Sequence, residues 1–166
     1  MGLDCHAFKN AKLKRKAPDG VPPSGGEYDL AYIDGDEIIY FTDFPERLDG
    51  QPKGVYSGER LPSFRAGSYG GYNRWREKLS QMAIGVDPQT VWDNWKKYKD
   101  EPFALLIHFS DCEGAIGPES SLILHGQFEA WREQARDEMD RWEFEVYEDF
   151  AKAFEEVAGN GFVVFH

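Results

Sequence analysis

Cysteine is scarce in this chain, with only Cys5 and Cys112 among 166 residues. Two cysteines cannot build the disulfide framework that stabilises many small secreted domains, and neither belongs to a CxxC zinc motif. This scarcity favours a reducing compartment. We therefore expect a cytoplasmic location.

Long apolar runs are also missing. No stretch approaches the roughly 18 residues that a membrane-spanning helix needs, and the N-terminal sequence MGLDCHAFKN lacks the apolar core of a signal peptide. His6 stands where an N-myristoylation signal has Ser or Thr. We therefore expect no association with a membrane.

Apolar and aromatic residues are nevertheless plentiful, at 41% and 15% of the chain. A chain of this length and composition can bury a hydrophobic core without help from disulfides or a structural metal. We therefore predict a single, independently folding domain that spans residues 1–166.

The net charge of −11 is unevenly distributed. Residues 9–16 hold five of the nineteen basic residues and no acid, whereas residues 129–156 hold eleven acids and four bases. An acidic surface repels nucleic acid and favours basic partners, so we expect no direct binding of nucleic acid. The structural alternative is a solvated helix face that keeps the protein soluble.

The first third of the chain is rich in proline and glycine. Short runs such as LDCHAF, EIIYFT and GVYSG are typical of brief strands joined by turns. Residues 9–26 combine the basic segment with a proline-rich stretch, and we expect them to form a mobile loop.

Helical periodicity dominates after Ser68. Apolar residues spaced by three or four positions predict a helix over residues 68–83 and a short second helix that ends near Lys99. By contrast, residues 103–109 (FALLIHF) form a nearly continuous apolar run, which favours a buried strand.

Residues 119–158 have the longest helical pattern. A straight helix of that length would measure about 60 Å, longer than a domain of this size, so we expect a break at Gly126 or around residues 137–140. The sequence GNG then ends the helix, and FVVF is typical of a final strand. Together these elements predict an α+β fold in which helices pack mainly on one face of a small mixed sheet.

The first of two glycine-containing junctions has the sequence FRAGSYGGYN and precedes the helix of residues 68–83. Because a helix N-terminus presents free N–H groups and the positive end of its dipole, the junction favours a cradle for an anion or a nucleotide phosphate. It matches neither a Walker loop nor the dinucleotide fingerprint. The structural alternative is a capped glycine turn whose arginines pair with carboxylates. The candidate ligand residues are Arg65, Gly67, Ser68, Tyr69, Tyr72, Asn73 and Arg76.

The second junction, SDCEGAIGP, adds Ser110, Asp111 and Glu113 to the candidate ligand site. In an extended segment Asp111 and Glu113 point to the same side, so in an enzyme they could act as acid and base. Two carboxylates make a poor metal site, and we expect no metal; no particular cofactor is indicated. The structural alternative has Asp111 capping a turn and Glu113 paired with an arginine.

The two junctions, FRAGSYGGYNRWR and FSDCEGAIGP, together with the N-terminal GLD and the closing GFVVFH, resemble a family of small uncharacterised proteins of phages and bacteria. The resemblance runs from end to end of the chain. It implies a small cytoplasmic protein of phage type, and no activity is established for that family.

These observations favour three hypotheses. The first is an accessory protein that binds a small anionic molecule or a host protein through the two junctions. The second is a hydrolase or transferase for a phosphorylated or nucleotide substrate, with Arg65 and Arg76 holding the anion and Asp111 and Glu113 moving protons. The third is an acidic mimic of nucleic acid that binds a basic host protein. The long helical region is also a candidate homodimer surface.

Overall fold

A computed structural model describes residues 1–166 as six strands and seven helices. The strands are β1 (Gly2–Lys16), β2 (Glu37–Ile39), β3 (Gly54–Arg60), β4 (Phe64–Ser68), β5 (Gly114–Ile116) and β6 (Phe162–Phe165). The helices are α1 (Gly25–Asp34), α2 (Tyr69–Ala83), α3 (Pro88–Asp93), α4 (Trp95–Tyr98), α5 (Ala104–Ile107), α6 (Pro118–Glu138) and α7 (Arg141–Val157). None of these helices is both long and apolar enough to cross a bilayer.

The strands form one curled sheet in the order β2-β3-β1-β6-β5, with β4 also paired to β1. The predicted α+β class is confirmed. Every strand pair is antiparallel, where we had expected a mixed sheet. Strand β1 lies at the centre because it pairs with three neighbours along its length.

The prediction of a mobile loop over residues 9–26 is wrong for most of that segment. Residues 9–16 are the second half of β1 and pair with β3, and α1 begins at Gly25. The pairing is interrupted by bulges, and Asn10 has a φ of 54°. Bulges let a strand carry residues that break strict alternation, which is why the basic run did not appear strand-like in the sequence.

Most basic residues of the segment 9–16 pair with acidic residues elsewhere in the fold. Lys14 donates to Asp36 at 2.7 Å, and Arg15 pairs with Glu27 in the first turn of helix α1. Lys9 meets Glu156 from α7 at 3.2 Å. Much of the positive charge of residues 9–16 is therefore neutralised within the protein.

The main core lies between the sheet and helices α2, α6 and α7. The predicted apolar stripe of α2 is confirmed, since Tyr72, Trp75 and Leu79 are fully buried in this core. A smaller core fills the other side of the sheet around Phe8, Tyr56 and Phe162. The sheet is thus buried on both faces near its centre.

The break in the long helical region is confirmed at residues 139–140. Helix α6 ends at Glu138, and Asp140 caps α7 by accepting from the Glu143 N–H at 2.8 Å. Gly126, the other candidate, lies within α6. The break lets α6 and α7 fold back on each other as a helical hairpin, with β6 following as predicted.

The prediction of a strand over residues 103–109 is wrong. Residues 104–107 form α5, a single helical turn that follows Phe103 at a φ of 62°. Five of the seven residues are fully buried, as the apolar run requires. Apolar character predicted the burial correctly, but a buried helical turn and a buried strand have the same apolar signature.

Candidate ligand-binding cleft

The two junctions lie side by side in the fold. The amide nitrogen of Asn73, in the first turns of α2, donates to the Asp111 carboxylate at 2.8 Å. Three residues further along the helix, Arg76 donates through Nη1 to the carbonyl oxygens of Ile107 at 3.2 Å and Phe109 at 2.6 Å. Helix α2 therefore anchors the segment that leads from α5 into the second junction.

An open cleft of about 680 Å³ lies at this contact. Its volume falls in the range of about 300 to 1,000 Å³ that is usual for small-molecule sites. Helix α2, the start of α3, the loop after β2 and the second junction form its walls. The lining residues are Asp43, Phe44, Asn73, Arg76, Glu77, Pro88, Gln89, Trp92, Phe109, Ser110, Asp111 and Cys112.

Arg76 is the only basic residue of this cleft, and it is 8% exposed. Besides its two carbonyl acceptors it donates through Nη2 to the Asn73 side-chain oxygen at 2.5 Å. It forms no ion pair, and its buried Nε has no acceptor. A buried guanidinium with neutral partners alone is costly, because the positive charge has lost its water without gaining a counter-charge.

One wall of the cleft is aromatic. The ring of Phe44 meets the ring of Trp92 edge-on at a centroid distance of 5.4 Å and lies 5.3 Å from the ring of Phe109. The Trp92 indole N–H donates to the Ile107 carbonyl at 3.0 Å, which fixes the ring. The cleft therefore combines a rigid apolar wall with polar groups on α2 and the second junction.

The glycines of the first junction lie against an aromatic side chain. Ser68 does cap α2, as predicted, by accepting from the Gly71 N–H at 3.0 Å. The indole of Trp142 lies over the turn, where a Cβ at Gly67 would come within 3.0 Å of it. The absence of a side chain at Gly67 therefore leaves room for the Trp142 ring of α7.

The remaining candidates of the first junction also lie outside the cleft lining. Arg65 forms a two-pronged ion pair with Asp4 at 2.7 and 2.8 Å, which is the structural alternative foreseen for it. Tyr72 is fully buried in the core, and burial raises the pKa of its hydroxyl. Gly67, Ser68 and Tyr69 belong to the turn itself.

The second junction is divided between two cavities. Ser110 and Asp111 line the cleft, but Glu113 lines a separate groove of about 350 Å³ between β2 and β5. Ser110, rather than Asp111, holds the turn, since its Oγ accepts from the N–H groups of Cys112 and Glu113 at 3.2 Å. Arg65 and Glu113 do not share a pocket, because Arg65 lines none of the five main cavities.

Sequence reasoning missed eight of the twelve residues that line the cleft. One signal was available, because Glu77 lies four residues after Asn73 and therefore shares its face of α2. The approach of the loop after β2 and of α3 depends on tertiary packing and had no local signal. The missed residues are Asp43, Phe44, Glu77, Pro88, Gln89, Trp92, Phe109 and Cys112.

Comparisons with protein-family models, curated proteins and solved structures found no match to this chain. The resemblance to a family of small phage and bacterial proteins therefore stays a prediction. What the cleft binds has to be inferred from its own residues.

Proposed function

We propose that this chain is a binding protein that takes up a small anionic molecule in the cleft between its two junctions. The observation that carries the proposal is Arg76, a buried guanidinium without an ion pair in the cleft of about 680 Å³. A carboxylate or phosphate group at the floor of the cleft would supply the missing counter-charge. Hydrogen bonds to charged groups are worth about 1.5 to 3 kcal/mol, so this pairing would contribute substantially to affinity.

The enzymatic alternative has less support. Its acid and base were Asp111 and Glu113, and these residues line different cavities. Asp111 already accepts a hydrogen bond from Asn73. General acid–base catalysis needs both groups within reach of one substrate, and only Asp111 of the predicted pair lines the cleft.

The acidic-mimic alternative is also weaker than the sequence indicates. Arg132 pairs with Glu148 at 2.7 Å and with Glu129 at 2.6 Å, and Arg141 pairs with Glu145 at 3.0 Å. Part of the negative charge of the helical hairpin is therefore compensated on its own surface. An anion-binding site, unlike an acidic mimic, also accounts for the buried Arg76 that has no ion pair.

Thermal unfolding with and without added anions tests the proposal. We expect phosphate, small carboxylates or nucleoside monophosphates to stabilise the wild type, since a ligand at about 100 times its Kd adds about 2.7 kcal/mol to the free energy of unfolding. Arg76→Gln keeps an amide donor but removes the charge, and should abolish the effect. Arg74→Gln, on the exposed side of the same helix, is the matched control and should retain it.

A second measurement covers the case in which Arg76→Gln does not fold. In the wild type, the side-chain Nε–H resonance of Arg76 should shift on addition of the stabilising anion, and that of Arg74 should not. Stabilisation by no anion, or full stabilisation of Arg76→Gln, would contradict the proposal.

A further inference from the structure

We infer that the ligand of the cleft is a small zwitterion of the amino-acid type, with a cationic group beside its anionic group and an apolar or aromatic body. This inference rests on the proposed function and adds the chemical class of the ligand. It is carried by three features of the cleft: its acidic residues, the spacing of its opposite charges and its aromatic wall.

The lining of the cleft is acidic overall. Asp43, Glu77 and Asp111 face a single Arg76, and none of the three carboxylates forms an ion pair. A ligand with negative charge alone would bind Arg76 but would also be repelled by the three carboxylates, which would lower its affinity. A ligand that also carries an ammonium group would turn those repulsions into attractions, and such matching of charge determines specificity more than raw affinity.

The opposite charges of the cleft are close together. Asn73 bridges them, since its side-chain oxygen accepts from Arg76 at 2.5 Å and its nitrogen donates to Asp111 at 2.8 Å. One amide group therefore separates the positive and negative sides. A complementary ligand needs its own two charges only a few bonds apart, as in an α-amino acid.

The buried guanidinium is the independent sign that a ligand belongs here. Acidic residues at a surface are usually solvated and need no partner. Arg76, however, is more than nine-tenths buried, lines the cleft and lacks both an ion pair and an acceptor for Nε. The anionic group of the ligand would bind this arginine, and the ammonium group would lie toward the carboxylates.

The aromatic wall specifies the rest of the ligand. Phe44 contacts both Trp92 and Phe109, and all three rings line the same cleft. Because its N–H is engaged by a carbonyl, Trp92 presents carbon surface rather than a free donor. An aromatic or bulky apolar side chain would pack against this wall, and aromatic pairs contribute about 0.5 to 1.5 kcal/mol beyond area burial.

Three probe molecules distinguish a site for a zwitterion from a site for an anion or a cation alone. Isothermal titration of the full chain would compare phenylalanine, which carries both charges, with 3-phenylpropionate, which lacks the ammonium, and with 2-phenylethylamine, which lacks the carboxylate. We expect phenylalanine to bind at least about tenfold more tightly than either analogue, because each lost charge removes a charge-assisted contact.

Variants of the acidic residues provide the second arm. Glu77→Gln and Asp43→Asn should weaken binding of phenylalanine about threefold to tenfold while leaving 3-phenylpropionate unchanged or tighter. Asp100→Asn, an exposed acid outside the cleft lining, is the matched control and should change neither. Both cleft acids are exposed, so these variants should fold.

The outcomes distinguish this inference from the proposed function. If 3-phenylpropionate binds as tightly as phenylalanine, or if the anions of the thermal test bind and phenylalanine does not, the zwitterion is wrong and anion binding stands. If 2-phenylethylamine binds as tightly as phenylalanine and Arg76→Gln leaves both affinities unchanged, anion binding is wrong as well.

Discussion

At the scale of single residues, Gly67 and Gly70 have different physical reasons to be glycine. Gly67 has a φ of 122°, which side chains rarely adopt, and the Trp142 ring covers the place where a Cβ would lie. Gly70 is in the first turn of α2, and a Cβ there would meet nothing within 4 Å. Packing therefore requires the first glycine and not the second.

Replacing each glycine by alanine tests this distinction. Gly67→Ala should lower the free energy of unfolding by about 1 to 3 kcal/mol, because it adds backbone strain and displaces Trp142. Gly70→Ala should leave it unchanged or raise it by up to about 1 kcal/mol, since alanine favours the helix. Urea titration followed by tryptophan fluorescence measures both. Equal effects of the two substitutions would contradict this role for Trp142.

At the scale of elements, the segment 103–109 shows why a buried helical turn was mistaken for a strand. Its backbone carbonyls are satisfied by side chains in place of a neighbouring strand. Arg47 donates to the carbonyls of Leu105 and His108, both at 3.1 Å. Arg76 and Trp92 both donate to the carbonyl of Ile107. Both arginines are buried, and no local sequence rule indicates contacts of such long range.

Periodic elements, by contrast, were predictable. Helix α2, its cap, the break before α7 and strand β6 all follow from spacing, capping residues and glycine placement. Of the candidate site, the pattern predicted Asn73, Arg76, Ser110 and Asp111, which line the cleft. It could not predict that Trp142 would cover the glycine turn, because that contact joins elements far apart in the chain.

The cap of α7 offers a test at this scale. Asp140 and Glu143 form a capping box, in which each side chain accepts from the backbone N–H of the other. Asp140→Ala should lower the free energy of unfolding by about 0.5 to 2 kcal/mol. Asp137→Ala, in the last turn of α6, should be neutral or slightly stabilising, because an acid near a helix C-terminus opposes the dipole. Chemical denaturation of both variants gives the comparison, and equal losses would exclude a specific cap.

At the scale of the whole molecule, two partly buried histidines make the stability of the fold depend on pH. Burial, followed by the charge of Arg47, lowers the pKa of His108. Burial, followed by His6, lowers the pKa of His166. His108 stacks on Trp95 at 4.2 Å, and His166 faces His6 at 3.1 Å. Both histidines are therefore neutral in the folded state at a pH where the unfolded chain is partly protonated.

The sign of the pH effect follows from these lowered pKa values. The unfolded state binds more protons below about pH 6.5, so the free energy of unfolding should be lower at about pH 5.5 than at about pH 7.5. His108→Gln should reduce this difference, because glutamine does not titrate. Urea unfolding at both pH values measures it. A wild type that is more stable at the lower pH would contradict the assignment.

Strand β1 also sets a condition on how the chain reaches its final form. Cys5 is registered with Phe165, so residues from the two ends of the sequence are direct neighbours in the sheet. A ribosome releases the first of these long before the second. Strand β1 therefore cannot pair with β6 until synthesis of the chain is nearly complete. Contacts between residues so distant in sequence also slow folding.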